Sequence, residues 1–286
     1  MHKVLAWIMV AAFAVGACTG GGATGSGAAA SSSAAAPSTA AASFAPDSTM
    51  GKIKAAGKLV CGTKFDVVGF GFKNPTNNEV EGLDADLCRE IAKAIGVPPE
   101  FVEAISANRL PFLKEDKVDI VISTMTITEE RKKEIDFSKV YYKAGQSILV
   151  KKSSTIQKVE DLAGKKVCSG EGSTSEKNVR AKAPTAELLL FKTYTEAGQA
   201  LADGRCDAVS TDDTILFGLA QKIPDTELRG GQFTEEPLGI GIKKGKDDFV
   251  AFINAQLDAM KADGRLKALY DKHVKPFSGQ DVVVPF

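Results

Sequence analysis

Thr126 and Arg131 are the residues whose types and spacing most clearly suggest binding chemistry. The β-branched run 118–122 has the length of a strand, and a helix is expected to begin after the Ser/Thr-rich residues that follow it. Thr126 and Glu129 have the spacing of a capping box. Arg131 would then lie near the positive end of the helix dipole, where a cation is unfavourable. A carboxylate ligand would pair with both Arg131 and the free amides, whereas the alternative partner is a neighbouring surface glutamate.

A second candidate for anion binding is the glycine-containing segment 169–176, which leads into another expected helix. Ser173 and Glu176 have capping-box spacing, and the amides near Gly172 would be free at the helix start. The pattern is neither a nucleotide-binding fingerprint nor a P-loop. Taken alone, the segment is more typical of a tight turn.

The elements that position these residues alternate between strand and helix, which predicts mainly parallel sheets. Asp84 is expected to cap a helix that ends at Gly96. Apolar residues recur at helical spacing over 249–270, and we interpret that stripe as core.

The segment around Arg131 resembles the amino-acid-binding family of periplasmic solute-binding proteins, the receptors of polar amino-acid uptake systems. The residues that match the family pattern are Asp119, Thr124, Thr126, Arg131, Asp136, Phe137, Ser138 and Tyr141. The resemblance extends from about Lys58 to Lys275. It implies a bilobal α/β fold of type II, with two mainly parallel sheets joined by two hinge crossovers near Gln146 and Gly239. Lobe 1 would comprise 51–146 and 239–286, and lobe 2 would comprise 147–238.

The resemblance also implies a ligand set for an amino acid held between the lobes. For the α-carboxylate it implies Arg131, Thr126 and the loop of Gly172 and Ser173. For the ammonium it implies Asp212, Thr126 and the Thr124 carbonyl.

The pocket for the ligand side chain is implied by Ser106 and Arg109, which resemble the glutamate/aspartate-binding members. Lys64 would add a second cation, and two cations in a cleft favour an acidic ligand. We therefore expect glutamate or aspartate, with a glutamine/asparagine receptor as the alternative. Arg109 facing solvent at a helix start is the alternative for that residue.

The N-terminal part of the chain has the features of an exported lipoprotein. Residues 1–17 have the layout of a signal peptide, and Val15 to Cys18 resembles a lipobox that would make Cys18 the lipidated N-terminus. Residues 18–50 then read as a flexible Gly/Ala/Ser linker. The expected location is the outer face of the cytoplasmic membrane, or the periplasm. An ordinary signal peptide cut near Ala17 is the alternative.

Four cysteines remain once Cys18 is assigned to lipidation, and an even number in an exported chain favours disulfides. Three pairings are possible. The implied bilobal fold places Cys61 and Cys88 in one lobe and Cys168 and Cys206 in the other. Because a bridge between the lobes would lock the hinge, we expect 61–88 and 168–206. Buried free thiols are the alternative, and metal binding is not expected.

The expected function is therefore that of a monomeric receptor that delivers its ligand to an ABC transporter permease, with no cofactor. Equal numbers of basic and acidic residues, 36 each, do not suggest nucleic acid. An enzyme on the same bilobal scaffold is the alternative from another class. His2 and His273 are the only histidines, so a Ser–His or Cys–His catalytic pair is unsupported.

Overall fold

The computed structural model describes residues 43–279 and 281–286, which form an α/β structure with two five-stranded sheets and one three-stranded sheet. The strands are β1 (Leu59–Thr63), β2 (Asp66–Val67), β3 (Gly71–Lys73), β4 (Val80–Glu81), β5 (Pro99–Glu103), β6 (Ile120–Val121), β7 (Ile135–Ala144), β8 (Gln146–Lys151), β9 (Lys166–Gly170), β10 (Glu187–Phe191), β11 (Ala208–Asp212), β12 (Thr226–Arg229) and β13 (Glu236–Lys243). The helices are α1 (Thr49–Ala56), α2 (Leu83–Ile95), α3 (Arg109–Lys114), α4 (Glu129–Lys132), α5 (Thr174–Lys182), α6 (Tyr194–Ala202), α7 (Asp213–Lys222), α8 (Asp247–Ala262), α9 (Arg265–His273) and α10 (Lys275–Ser278).

The two large sheets have the same plan. The first has the order β5-β1-β6-β13-β7 and the second has the order β10-β9-β11-β8-β12. In each, four strands run in the same direction, and one strand, β13 in the first sheet and β8 in the second, runs antiparallel to both of its neighbours. Each sheet with its helices forms one lobe, and the predicted bilobal type II fold is confirmed.

The chain changes sheet twice. It leaves the first sheet at Ala144 and enters the second at Gln146. It returns between Arg229 and Glu236, so the return strand begins three residues before the Gly239 expected from the sequence. The lobe boundaries that we drew from the sequence remain a proposal.

Both predicted disulfides are present. Cys61 of β1 is bonded to Cys88 of α2, and Cys168 of β9 is bonded to Cys206, just before β11. All four are buried. Each bridge ties a helix or loop to a strand within one lobe and leaves the crossovers free to move.

Several elements differ in extent from the sequence prediction. The strand expected over 118–122 is reduced to the two residues of β6. The helical stripe over 249–270 is divided into α8 and α9, because Gly264 adopts a left-handed conformation with φ of 81°. The last part of the predicted linker belongs to the folded unit, since α1 begins at Thr49 and the Phe44 ring packs on Phe252 at 5.5 Å.

The predicted signal peptide (1–17) and Cys18 lie outside the described residues. Within 43–279 and 281–286, no helix combines the length and apolar character needed to cross a membrane. The same residues contain no cluster of three or more His, Cys, Asp or Glu side chains arranged to hold a metal ion.

Candidate ligand-binding site

Arg131 lies on the one-turn helix α4 and is only 9% exposed. The Thr128 hydroxyl caps this helix and accepts a hydrogen bond from the Arg131 amide at 3.1 Å. The predicted capping box of Thr126 with Glu129 is wrong, because Thr126 is still extended and bridges Leu238 of β13. The Arg131 guanidinium donates to the Thr126 carbonyl at 2.7 Å. That bond orients Arg131 and leaves N–H groups for a carboxylate.

The predicted glycine loop precedes α5 on the other lobe. Gly172 has φ of 70°, and a Cβ there would lie 2.9 Å from the Ala107 Cα of lobe 1, so glycine is needed twice over. Ser173 caps α5 by accepting from the Glu176 amide at 3.0 Å. The Glu176 carboxylate accepts from Gly172, rather than from Ser173 as a full capping box requires.

The two lobes also touch at helix α5, which follows this loop. The Thr126 hydroxyl of lobe 1 and the Thr174 hydroxyl of lobe 2 are 3.3 Å apart. At the rim, Lys177 and Glu130 form an exposed ion pair of 2.5 Å. The predicted anion-binding residues of the two lobes are therefore brought together at one interface.

Asp212 ends β11 and is buried. Among the described residues, its carboxylate accepts no hydrogen bond from another group. Burial raises the pKa of Asp212 to about 8, with a further increase from the neighbouring charges of Glu236 and Asp213, whereas Arg109 and Lys64 lower it. A buried carboxylate with unused acceptors is suited to a cationic group such as an ammonium.

Lys64, Ser106 and Arg109, the residues expected to meet the ligand side chain, lie together and are all buried. The Lys64 ammonium donates to the Ser106 hydroxyl at 3.0 Å. Burial, reinforced by the positive charge of Arg109, lowers the pKa of Lys64 to about 7. Near neutral pH, the ammonium is therefore only partly charged.

Arg109 does not face solvent, being only 2% exposed. Its guanidinium donates to the carbonyls of Ser106 at 3.2 Å, Ser123 at 2.9 Å and Thr124 at 3.0 Å. Burial and the charge of Arg131 lower the pKa of Arg109 to about 9. The Thr124 carbonyl that we expected to meet the ligand ammonium therefore already accepts from Arg109 in this structure.

Asp84 supports Thr124 from within lobe 1. The sequence predicted Asp84 as a helix cap, but Gly82 occupies the cap position of α2 and Asp84 lies inside the first turn. Its carboxylate accepts from the Thr124 amide at 2.9 Å and from the Tyr141 hydroxyl at 2.8 Å. Thr124 is held with φ of 41°, and its buried hydroxyl has no hydrogen-bond partner within the described part of the chain.

Tyr194 is a site residue that the sequence reasoning missed. It begins α6 on lobe 2, is buried, and has its ring 5.4 Å from the Lys64 ammonium. Burial and the charge of Asp212 raise the pKa of Tyr194, whereas the neighbouring Thr211, Arg109 and Ser106 lower it. An aromatic residue three positions after the end of a strand, at the start of a helix, was the available signal.

Glu236 is a second missed residue and lies at the start of β13. Its Oε1 accepts from Asn178 of α5 at 2.8 Å and from the Thr234 hydroxyl at 2.9 Å. Asn178 also donates to the Gln146 side chain at 2.8 Å, so it contacts both crossovers. Within the described residues, the buried Oε2 of Glu236 has no hydrogen-bond partner.

Two cavities lie next to the cluster of site residues. One of about 270 Å³ is lined by Ser106, Arg131 and Gly172, three of the predicted ligand contacts. A larger groove of about 850 Å³ runs over Phe137 and Pro237 and contains none of the buried cations Lys64, Arg109 or Arg131. The smaller cavity contains Arg131, the expected partner of the α-carboxylate, whereas Asp212, Lys64 and Arg109 line neither cavity.

A family description of bacterial extracellular solute-binding proteins, family 3, matches residues 59–276. The chain belongs to this family. The match covers both sheets and every predicted ligand contact, so the receptor's fold and site fall within one family unit.

Three proteins that are similar to this chain illustrate which ligands its relatives bind. It is 48% identical over 231 residues to the ABC transporter glutamine-binding protein GlnH of Bacillus subtilis, across 79% of this chain and 85% of that one. It is 33% identical over 243 residues to the glutamate-binding protein GluB of Corynebacterium glutamicum, across 80% and 81%. A solved structure described as an ancestral arginine-binding protein bound to glutamine has 41% identity and a TM-score of 0.73, across 76% and 97%. The chain is an exported amino-acid-binding receptor of an ABC transporter.

Proposed function

We propose that this receptor binds glutamine between its lobes. The α-carboxylate is held by Arg131 and the loop of Gly172 and Ser173, and the ammonium by Asp212 with the Thr126 hydroxyl. The proposal replaces the glutamate/aspartate preference expected from the sequence with its alternative. The 48% identity to a glutamine-binding protein supports it.

The choice of glutamine over glutamate rests on the hydrogen bonds that Arg109 makes. Three main-chain carbonyls of its own lobe already accept its hydrogen bonds. Lys64, the other cation of the pocket, has a pKa of about 7 and is therefore only partly charged near neutral pH. Because Nε and Nη1 of Arg109 are engaged, a second ligand carboxylate would meet only the Nη2 donors of this charged guanidinium, whereas a neutral amide needs only hydrogen bonds. The amide both donates and accepts, which suits the hydroxyls of Ser106 and Tyr194.

Glutamate is the second candidate, and the same two cations favour it. The positive charge of Arg109 lowers the pKa of Lys64, because the two cations lie close together. A second carboxylate on the ligand would offset this positive potential. The 33% identity to a glutamate-binding protein supports this candidate.

A calorimetric titration of the protein with glutamine, glutamate, asparagine, aspartate and arginine tests the proposal. We expect glutamine to bind most tightly. Tighter binding of glutamate would transfer the assignment to the second candidate. Absence of binding by all five amino acids would remove the receptor assignment itself.

We further propose that the protein is a monomer, is anchored through lipidated Cys18, and has no catalytic activity. Of the described residues, only His273 is a histidine, and it is engaged with Asp86 at 2.6 Å near the C-terminus. Mass spectrometry of the membrane-extracted protein should show the lipid on Cys18, and Cys18→Ala should release the protein into the soluble fraction. Glutamine incubated with the protein should be recovered unchanged.

A further inference from the structure

Asp66 makes a contact between the lobes that lies outside the proposed ligand set. It begins β2 of lobe 1, and its Oδ2 accepts from the main-chain amide of Tyr194 at 2.6 Å and from that of Thr195 at 3.3 Å. Both amides belong to the first turn of α6 on lobe 2. A carboxylate at a helix N-terminus is favourable because it satisfies free amides and faces the positive end of the helix dipole.

Helix α6 does not need Asp66 for its own capping. Thr193 and Glu196 form a complete capping box, in which the Thr193 hydroxyl accepts from the Glu196 amide and the Glu196 carboxylate accepts from the Thr193 amide. Only the amides of Tyr194 and Thr195 are left for Asp66. When the lobes separate, water can replace the carboxylate at these amides without unfolding the helix. The contact is therefore one that forms and breaks with lobe movement.

Two further contacts between the lobes lie close to Asp66. Val68, just after β2, lies against α7 of lobe 2, where a Cβ on Gly218 would come within 3.2 Å of the Val68 Cβ. Lys222, at the end of α7, has its ammonium 4.2 Å from the centre of the Phe72 ring. The segment 66–72 thus meets α6 and α7 as one surface, which we call the hairpin contact.

We propose that Asp66 is a positioning residue that binds the start of α6 only when the lobes are closed, and so sets the population of the closed state without touching the ligand. The apparent affinity of a receptor is its intrinsic affinity multiplied by the fraction of molecules able to bind. Loss of the Asp66 contact should therefore weaken glutamine and asparagine by the same factor, whereas charged ligands would also respond to Lys64, whose pKa Asp66 raises. A residue that touches the ligand side chain would instead change the ratio between ligands.

The test follows two main-chain amides and the binding constants in Asp66→Ala. By NMR hydrogen exchange, the amides of Tyr194 and Thr195 should gain protection when an amino acid binds the wild type, and this gain should be absent in the variant. The Glu196 amide, held by Thr193, should stay protected and reports that α6 is intact. Affinities for the two uncharged ligands glutamine and asparagine should fall together, by roughly tenfold for a charge-assisted hydrogen bond.

Two further variants complete the experiment. Asp66→Asn keeps an acceptor without the charge and should lie between wild type and Asp66→Ala in both readouts. Glu79→Gln removes an exposed carboxylate from the turn before β4 of the same small sheet and should change neither. The same gain of protection at Tyr194 and Thr195 in wild type and Asp66→Ala, or an affinity loss confined to one of the two ligands, would overturn the proposal. It rests on the proposed receptor function, but any amino acid that binds can replace glutamine in the exchange measurement, so failure of the glutamine assignment leaves the test of Asp66 intact.

Discussion

The Lys64 ammonium donates a hydrogen bond to the Ser106 hydroxyl at 3.0 Å, and both residues are buried at the end of the cleft assigned to the ligand side chain. The ring of Tyr194 from the other lobe is 5.4 Å from the same ammonium. Lys64 is the cation that titrates, and the Ser106 hydroxyl that it contacts is a group that either glutamine or glutamate would meet. The pH dependence of binding therefore separates the two candidates.

The first prediction concerns that pH dependence. Lys64 has a pKa of about 7, so its charge is lost as the pH rises through 7. Asp212 has a pKa of about 8, so it gains its charge over the same range, and the ammonium that all amino acids share should be bound more tightly from pH 6.5 to 8.5, by at most about tenfold per pH unit. Glutamine should show this full increase, whereas glutamate, which would also use the Lys64 charge, should show a smaller increase or none.

Calorimetry at pH 6.5, 7.5 and 8.5 measures both ligands. Asp212→Asn should bind glutamine weakly and without the increase, because the titrating carboxylate is gone. A glutamine affinity in the wild type that falls steadily with pH would contradict the role of Asp212.

The second prediction concerns Arg131. Arg131→Ala should weaken all amino acids alike, by roughly a hundredfold, because it removes a charge-assisted contact to the carboxylate that they share. Lys132→Ala is the matched control, since the ammonium of that exposed neighbour pairs with Glu129 on the surface. A loss for one ligand alone would show that Arg131 reads the side chain instead.

The third prediction concerns Arg109, where the structure changes the expected result. Because three buried carbonyls depend on its guanidinium, Arg109→Ala should destabilise lobe 1 by about 3 kcal/mol and weaken glutamine and glutamate together. Urea unfolding and calorimetry measure the two effects. Arg109→Lys keeps the charge but not the fork of donors and should lose most of the same stability. Full stability of both variants, with a loss for glutamate alone, would restore Arg109 as the reader of a second carboxylate.

The fourth prediction concerns the disulfides. Replacing Cys61 and Cys88 with serine, or Cys168 and Cys206 with serine, should each lower the free energy of unfolding by roughly 2–4 kcal/mol. Guanidinium unfolding of each pair measures the loss. Glutamine affinity should change little, because each bridge stays within one lobe. An equal stability of wild type and both variants under non-reducing conditions would contradict the bridges.

The family resemblance implied the bilobal fold, and the alternation of strands and helices predicted its mainly parallel sheets. The even cysteine count, divided between the two implied lobes, then predicted both disulfides. Sequence reasoning failed at helix starts. Thr126 has capping-box spacing, yet a bridge to Leu238 on β13, far away in sequence, keeps it extended and moves the cap to Thr128. Tertiary pairing decided a choice that local propensity left open.

For the site residues too, part was predicted from the sequence and part was decided by tertiary contacts. The structure brings Arg131, Gly172 and Ser106 around one cavity, as the resemblance implied, although their roles remain proposals. It was not evident from the sequence that Arg109 would turn back onto carbonyls of Ser123 and Thr124, since main-chain acceptors have no sequence signature. Contacts between the lobes, such as that of Asp66 with Tyr194, were missed for the same reason.

The most direct test of the account is a crystal structure of the receptor grown with glutamine. We predict one glutamine between the lobes, with its α-carboxylate on the Arg131 guanidinium and the Gly172 loop, its ammonium on Asp212, and its side-chain amide beside Ser106 and Tyr194. Glutamine in the groove along Phe137 and Pro237, or between the lobes with its carboxylate away from Arg131, would contradict the account.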